Sequence, residues 1–242
     1  MNAPVRDGLD EGMEAIVLAG GFGTRLRELV PNLPKAMAPV SGRPFLEILL
    51  GTLARKGFRR LVLALGYMAE SVVDHFGEKF AGMNLVYEIE RVPLGTGGAV
   101  RRALGRCEAD HVFVLNGDTY LDLEVDEVEA QWQREHVPII VAREVPDTLR
   151  YGRLNTIGRR VVGFVAQGLA GSGLINAGCY VFPKDIARQF PADETFSLES
   201  DFLAKSVTQS PFHFFVCRGD FVDIGVPDDY VRAQSELAKV CR

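Results

Sequence analysis

Apolar positions along the chain fall into two rhythms. In the first half, short unbroken runs read as buried strands: Glu14–Ala19 (EAIVLA), Arg60–Leu65 (RLVLAL), Asn84–Ile89, His111–Leu115 (HVFVL) and Pro138–Ala142 (PIIVA). Between them lie segments with helical spacing at Phe45–Lys56 and Ala69–Lys79, a helix starting near Gly97, and a polar helix over Glu124–Glu135. Strict alternation of strand and helix predicts an α/β fold: a Rossmann-like, three-layer arrangement with a mostly parallel central sheet and helices on both faces. After about residue 146 the runs shorten. Gly152–Thr156, Arg160–Val165, Leu174–Phe182 and Phe212–Val216 read as strands, with helical pieces near Lys184–Phe190, Glu199–Val207 and Pro227–Val240. This half is expected to complete the sheet and add a substrate-facing lobe. No linker, internal repeat or low-complexity tract divides the chain, so residues 13–242 are expected to form one domain with halves at 13–146 and 147–242. Residues 1–12, polar and carrying Asp7, Asp10 and Glu11, read as a flexible leader rather than a signal peptide.

Composition narrows the class of function. Of 242 residues, 47% are hydrophobic and 24% charged, enough for a full core. The net charge of -5 offers no basic surface for nucleic acid, and no apolar run approaches membrane-span length. Cys107, Cys179, Cys217 and Cys241 lack metal-ligand spacing and read as thiols of a reducing cytoplasm. An acidic chain can still act on anionic substrates, given a local cationic pocket or a metal.

Candidate chemistry sits in the loops after strands. Leu18–Leu26 is LAGGFGTRL, following the first strand directly. Its glycines let backbone N–H groups approach phosphate oxygens, and Arg25 can clamp phosphates bidentately. It is neither a Walker loop nor a dinucleotide fingerprint: no GK[ST] follows, and Leu26 stands where a third glycine belongs. Lys35, stiffened by Pro34 within LPKAMAPV, offers a point charge. A second glycine loop, Leu94–Ala99 (LGTGGA), follows the third strand, and Asn116-Gly117-Asp118 follows the fourth. Asp118 and Asp223 each end a strand-like run, on the sheet edge where α/β proteins bind ligands.

Together, LAGGxGTRL, PKxMxPV, LGTGGA and NGD resemble the motifs of the sugar-nucleotide pyrophosphorylases, the sugar-1-phosphate nucleotidyltransferases, in order and spacing across almost the whole chain. The stretch LRELVPNLPKAMAPVSGRPFLEILL, PLGTGGA and GLINAGCYVF look most like the heptose-1-phosphate guanylyltransferases of this family. The resemblance implies a nucleotidyltransferase fold, a nucleotide-binding first half and a sugar-binding second half. With so little chain after Tyr230, no C-terminal β-helix is expected. It implies that Leu18, Ala19, Gly20, Gly21, Gly23, Thr24, Arg25, Lys35, Glu90, Gly95, Thr96, Gly97, Asn116 and Gly117 hold the nucleotide. Arg25, Lys35 and Asp118 would be catalytic, and Asp118 with Asp223 would hold Mg²⁺. Asp228 and Asp229 read instead as charges at a helix start.

For the sugar, the resemblance points to Tyr151-Gly152, to Asn176 in the N-A-G-x-Y strand, and to Glu199 in SLESD. One departure stands out. Where the family carries Phe-x-Glu-Lys, this chain has Phe164-Val165-Ala166-Gln167. Gln167 keeps hydrogen-bonding capacity without the charge, leaving Arg153 or Arg143 as candidate replacements. The implied reaction is attack by a sugar phosphate on the α-phosphorus of an NTP, with pyrophosphate leaving. Its partners are small molecules, with neither nucleic acid nor membrane, and a homodimer stays open. Glu90, just past the third strand, is the candidate reader of guanine, with Glu88 on the same strand face as its rival. GTP with a manno-heptose 1-phosphate, in a 6-deoxy form or not, is the expected substrate pair, serving surface polysaccharides. Mannose-1-phosphate guanylyltransferase, a uridylyltransferase on another sugar, and a catalytically silent nucleotide-binding homologue are the competing readings.

Overall fold

A computed structural model of the chain describes residues 12–240 except 22, 24, 25, 27, 28, 166, 167, 193 and 194. The expectations for the leader up to residue 11, and for Thr24, Arg25 and Gln167, lie outside the described residues. Ten strands form one sheet: β1 Met13–Leu18, β2 Phe58–Leu65, β3 Lys79–Phe80, β4 Met83–Ile89, β5 His111–Asn116, β6 Ile139–Val145, β7 Arg153–Ile157, β8 Arg160–Val165, β9 Gly173–Pro183 and β10 His213–Cys217. Their spatial order is β7-β8-β10-β6-β9-β5-β1-β2-β4-β3. Seven of the ten run in the direction of β1, so the mostly parallel sheet is borne out. The later half departs from strict parallelism: β9 is inserted antiparallel between β5 and β6.

Helices cover both faces, as the period-two burial of the strands requires. Ala15 and Val17 of β1 point to one face, under Leu46, Leu49 and Leu53 of α1 (Phe45–Arg55), Val72 and Phe76 of α2 (Ala69–Phe76), and Val128 and Trp132 of α4 (Val125–Glu135). Ile16 points to the other, among Val100, Ala103 and Leu104 of α3 (Gly95–Leu104) and Val207 of α5 (Ala204–Gln209). α2 stops three residues before the sequence pattern suggests. Gly77, at φ 61°, ends it, and Lys79–Phe80 turns back as an edge strand.

A third apolar cluster positions the site. α6 (Pro227–Glu236) packs Ala233 in a cluster with Val40 and Phe45, with Tyr120 and Val222 of a small antiparallel ribbon, Thr119–Leu121 with Phe221–Asp223, and with Ile224 just past it. No helix among the described residues is long and apolar enough to cross a membrane.

Candidate active site

The carboxyl ends of β1, β2, β4 and β5 open onto a cavity of about 520 Å³. Leu18, Ala19, Gly20 and Gly21 line one side, Asn116 and Gly117 another, and Ala64 and Glu90 the strand ends between. Across from them stands the N-terminus of α3, with Gly95 and Thr96 on the cavity wall, so the positive end of a helix dipole faces the space. The segment Ser197–Glu199, expected only on the sugar side, also closes this cavity. It is stitched to the second glycine loop: Gly97 N donates to Phe196 O at 2.9 Å, Phe196 N to Leu94 O at 3.1 Å, and Leu198 N to Thr96 Oγ1 at 2.9 Å. Gly95, at φ 69°, is required there, because a Cβ would lie 2.5 Å from Phe196 O. Gly97 lies against the Phe196 ring, which any side chain there would overlap.

Lys35 and Asp118 meet at the cavity's edge. Pro34, extended at φ -64°, turns the chain into a single helical turn, Lys35–Met37, which directs Lys35 inward. Its Nζ lies 2.5 Å from Asp118 Oδ2, and the lysine side chain is only 12% exposed. Gly23 packs on Lys35: at φ 58°, an added Cβ would lie 2.7 Å from the lysine Cβ. Asp118 precedes the ribbon strand Thr119–Leu121, and Asp223 ends its partner opposite Thr119. Ile224 N donates to Asp118 O at 3.0 Å, closing the pair of loops. Burial, and then the charge of Asp118, raise the Asp223 carboxyl above its ordinary pKa. Two carboxylates beside a single ammonium form a hard-oxygen donor set suited to a dication that draws its other ligands from phosphate and water.

A second cavity, of about 300 Å³, opens on the far side of that pair. It is lined by Tyr151, Gly152, Asn176, Glu199 and Asp223, which sequence reasoning named, and by Thr119, Phe164 and Phe221, which it did not. A register shift in β9 between Asn176 and Cys179, with Gly178 at φ 70°, sets Asn176 at a bulge. Asn176 Nδ2 then donates to Tyr180 Oη at 2.7 Å and to Glu199 Oε1 at 3.1 Å, and Tyr180 Oη donates to the same Oε1 at 3.0 Å. Tyr180 is fully buried. It acts as core and as an anchor for Glu199 at once. Lys35, Asn116, Asp118 and Glu199 line both cavities, and Lys35 is the one cation on either wall among the described residues.

Several rivals are placed elsewhere. Glu88, 5% exposed, is held by Arg102 at 2.5 Å and Arg106 at 2.9 Å, and fixes α3 rather than facing the cavity. Glu90 does face it; its Oε2 accepts from Leu94 N at 3.2 Å, and burial raises its pKa. Neither arginine proposed in place of the missing lysine reaches the second cavity. Arg153 is bound to Thr148 Oγ1 at 2.8 Å and Gly171 O at 3.1 Å, and Arg143 to Cys217 O at 2.9 Å. Asp229 stands at the helix start as expected, but it is 1% exposed and paired with Arg150. His75, His111 and His213 are paired with glutamates away from both cavities.

A strand-end cavity with glycine loops and a lysine–aspartate edge defines a recognisable family. The family model described as nucleotidyl transferase matches residues 14–240. The chain belongs to this nucleotidyltransferase family. It is 38% identical over 226 residues to the D-glycero-alpha-D-manno-heptose 1-phosphate guanylyltransferase of Aneurinibacillus thermoaerophilus, covering 93% of this chain and 98% of that one. The mannose-1-phosphate guanylyltransferase of Mycobacterium tuberculosis is 31% identical over 94% of this chain and 65% of its own length. Among solved structures, HddC from Yersinia pseudotuberculosis superposes with a TM-score of 0.84 at 36% identity, over 93% of this chain and 99% of that chain. That protein has also been solved in complex with GMP-PN.

Proposed function

We propose that this nucleotidyltransferase moves GMP from GTP to a manno-heptose 1-phosphate, giving a GDP-heptose and pyrophosphate. The observation that carries the reading is the pair of cavities sharing Lys35 and Asp118 on their common wall. Two substrates bound on either side would bring a sugar-phosphate oxygen and an α-phosphorus together at that wall. The heptose and the guanine are supported by the kinship to heptose 1-phosphate guanylyltransferase along nearly the full length of both chains.

The nucleophile is a phosphate oxygen already ionised at neutral pH, so no general base is needed. It forms a bond to the α-phosphorus while the bond to the β,γ-pyrophosphate breaks. Alignment and charge neutralisation do the rest. Gly20, Gly21 and Arg25 hold the triphosphate, and Lys35 stabilises charge on the α-phosphate. Asp118 and Asp223 are the residues that would hold Mg²⁺, which when bound supplies charge neutralisation on the phosphates. Glu90 accepts from guanine N1–H and the N2 amino group, a pair of donors that uracil and adenine lack. Asn176, Glu199, Tyr151 and Gly152 hold the sugar.

The test is a matrix of four NTPs against manno-heptose, mannose and glucose 1-phosphates, read by pyrophosphate release. GTP with manno-heptose 1-phosphate should give the highest kcat/KM. Preference for UTP would refute the guanylyl assignment, and preference for mannose would move the sugar assignment.

A further inference from the structure

The reaction makes no use of Asp229, a carboxylate in the first turn of α6 whose side chain is 1% exposed. Both terminal nitrogens of the Arg150 guanidinium donate to it, and Arg232 Nη1 lies 3.2 Å away. A helix start needs an acidic charge only at its surface. Burying one is weak as a source of stability, because desolvation offsets the Coulombic gain; the clearest use of such pairs is to fix one geometry. A bidentate arginine–carboxylate pair fixes orientation as well as distance.

What this pair joins is specific. Arg150 immediately precedes Tyr151 and Gly152, which line the second cavity. Its guanidinium stands 6.0 Å from the Tyr151 ring, and that ring meets Phe221 of the ribbon edge-on at 6.3 Å. Asp229 follows Asp223 by six residues, on the helix that packs over the ribbon. The same helix also holds the Lys35 segment: Tyr230 Oη donates to Pro39 O at 2.6 Å and Gln234 Nε2 to the same oxygen at 3.0 Å. On its other side, the Arg150 loop is tied by Thr148, whose Oγ1 donates to Leu169 O at 2.8 Å, while Gly171 N donates to Asp147 Oδ1 at 3.1 Å. One ion pair thus links the helix that carries Lys35 and Asp223 into place with the loop that carries Tyr151.

We propose that Asp229, acting through Arg150, is a positioning residue that sets the Tyr151–Gly152 wall against Asp223 and so determines binding of the sugar phosphate, not of the nucleotide. The proposal rests on reading the second cavity as the sugar subsite.

The experiment measures kcat, both KM values and thermal unfolding for Asp229→Asn, Arg150→Met and Arg150→Lys, with Asn176→Ala as a probe of the cavity itself. Asp229→Asn and Arg150→Met should raise KM for the sugar phosphate on the order of tenfold, and move KM for GTP by less than about twofold. Arg150→Lys, which keeps the charge, should fall between. If Asp229→Asn does not fold, Arg150→Met carries the test, since that side chain is half-exposed. A lowered unfolding temperature with both KM values unchanged, or both KM values rising together, would reduce the pair to a structural tie and overturn the proposal. A sugar-phosphate KM raised by Asn176→Ala but not by the Asp229 or Arg150 variants would overturn the positioning role alone. An Asn176→Ala variant with unchanged KM would remove the sugar subsite and the proposal with it.

Discussion

The two cavities meet at Lys35 and Asp118 but are built from different materials. The first lies where the parallel strands β1, β2, β4 and β5 end, and much of its wall is backbone from Leu18–Gly21, Asn116–Gly117 and the start of α3. The second draws on side chains from β8, the bulge in β9, the ribbon and the loop before β7. A backbone wall is specified by short contiguous motifs, and strand-end geometry does most of the positioning. A side-chain wall must be oriented by further partners, such as Tyr180 behind Glu199 and Arg150 behind Tyr151. Substitutions in the first cavity should therefore act on the nucleotide alone, those in the second on the sugar alone, and those on the shared wall on the chemical step.

The largest effect belongs to the shared wall. Asp118→Asn removes one of the two carboxylates proposed to hold Mg²⁺ and takes away the negative charge 2.5 Å from Lys35 Nζ. Turnover should fall on the order of a thousandfold or more, with an unchanged circular dichroism spectrum. Normal turnover at limiting Mg²⁺ would take Asp118 out of this role. Next comes Glu90→Gln, in the first cavity. It should lower kcat/KM for GTP on the order of ten- to a hundredfold, leave UTP nearly unaffected, and leave KM for the sugar phosphate alone. An unchanged GTP preference would assign base reading to backbone groups, since Glu88 is engaged by Arg102 and Arg106.

The smallest effect is on stability and has a definite sign. Burial and the Asp118 charge raise the Asp223 pKa, so its ionised form is disfavoured in the folded protein relative to the unfolded chain. Stability from such a group is full below its unfolded pKa and lost as pH rises through the raised folded value. Asp223→Asn imitates the protonated form and keeps an oxygen for Gly225 N, which donates at 2.6 Å. In metal-free protein near neutral pH it should raise the melting temperature by roughly 2 °C, a gain that fades on acidification. A lower melting temperature at neutral pH would mean that the carboxylate pair is not strained.

The same contrast explains what was legible in the sequence. Runs such as Arg60–Leu65 and His111–Leu115 are buried on both faces, and appear as β2 and β5 because nothing but a central strand suits them. Loops after such strands can be read for function directly, and Leu18–Gly21, Lys35 and Asn116–Asp118 all reach one cavity. The close packing of Gly23 on Lys35 and of Gly97 on Phe196 was not legible, because it depends on residues distant in the chain. The antiparallel insertion of β9 was hidden because strand order is a tertiary fact, and it is this insertion that brings Asn176 beside Asn116. The burial of Asp229, which does sit at the helix start, was hidden for the same reason: its partner Arg150 lies 79 residues away.

The claim that GMP passes across the wall shared by the two cavities is tested most directly by steady-state kinetics of Lys35→Ala. Charge on the α-phosphate grows towards the transition state, and Lys35 is the cation proposed to stand beside it. The account predicts a fall in kcat on the order of 10²–10³, with KM for GTP and for the sugar phosphate each within about threefold of wild type. A variant with wild-type kcat and only a raised KM for GTP would make Lys35 a docking residue of the first cavity and contradict the shared-wall account.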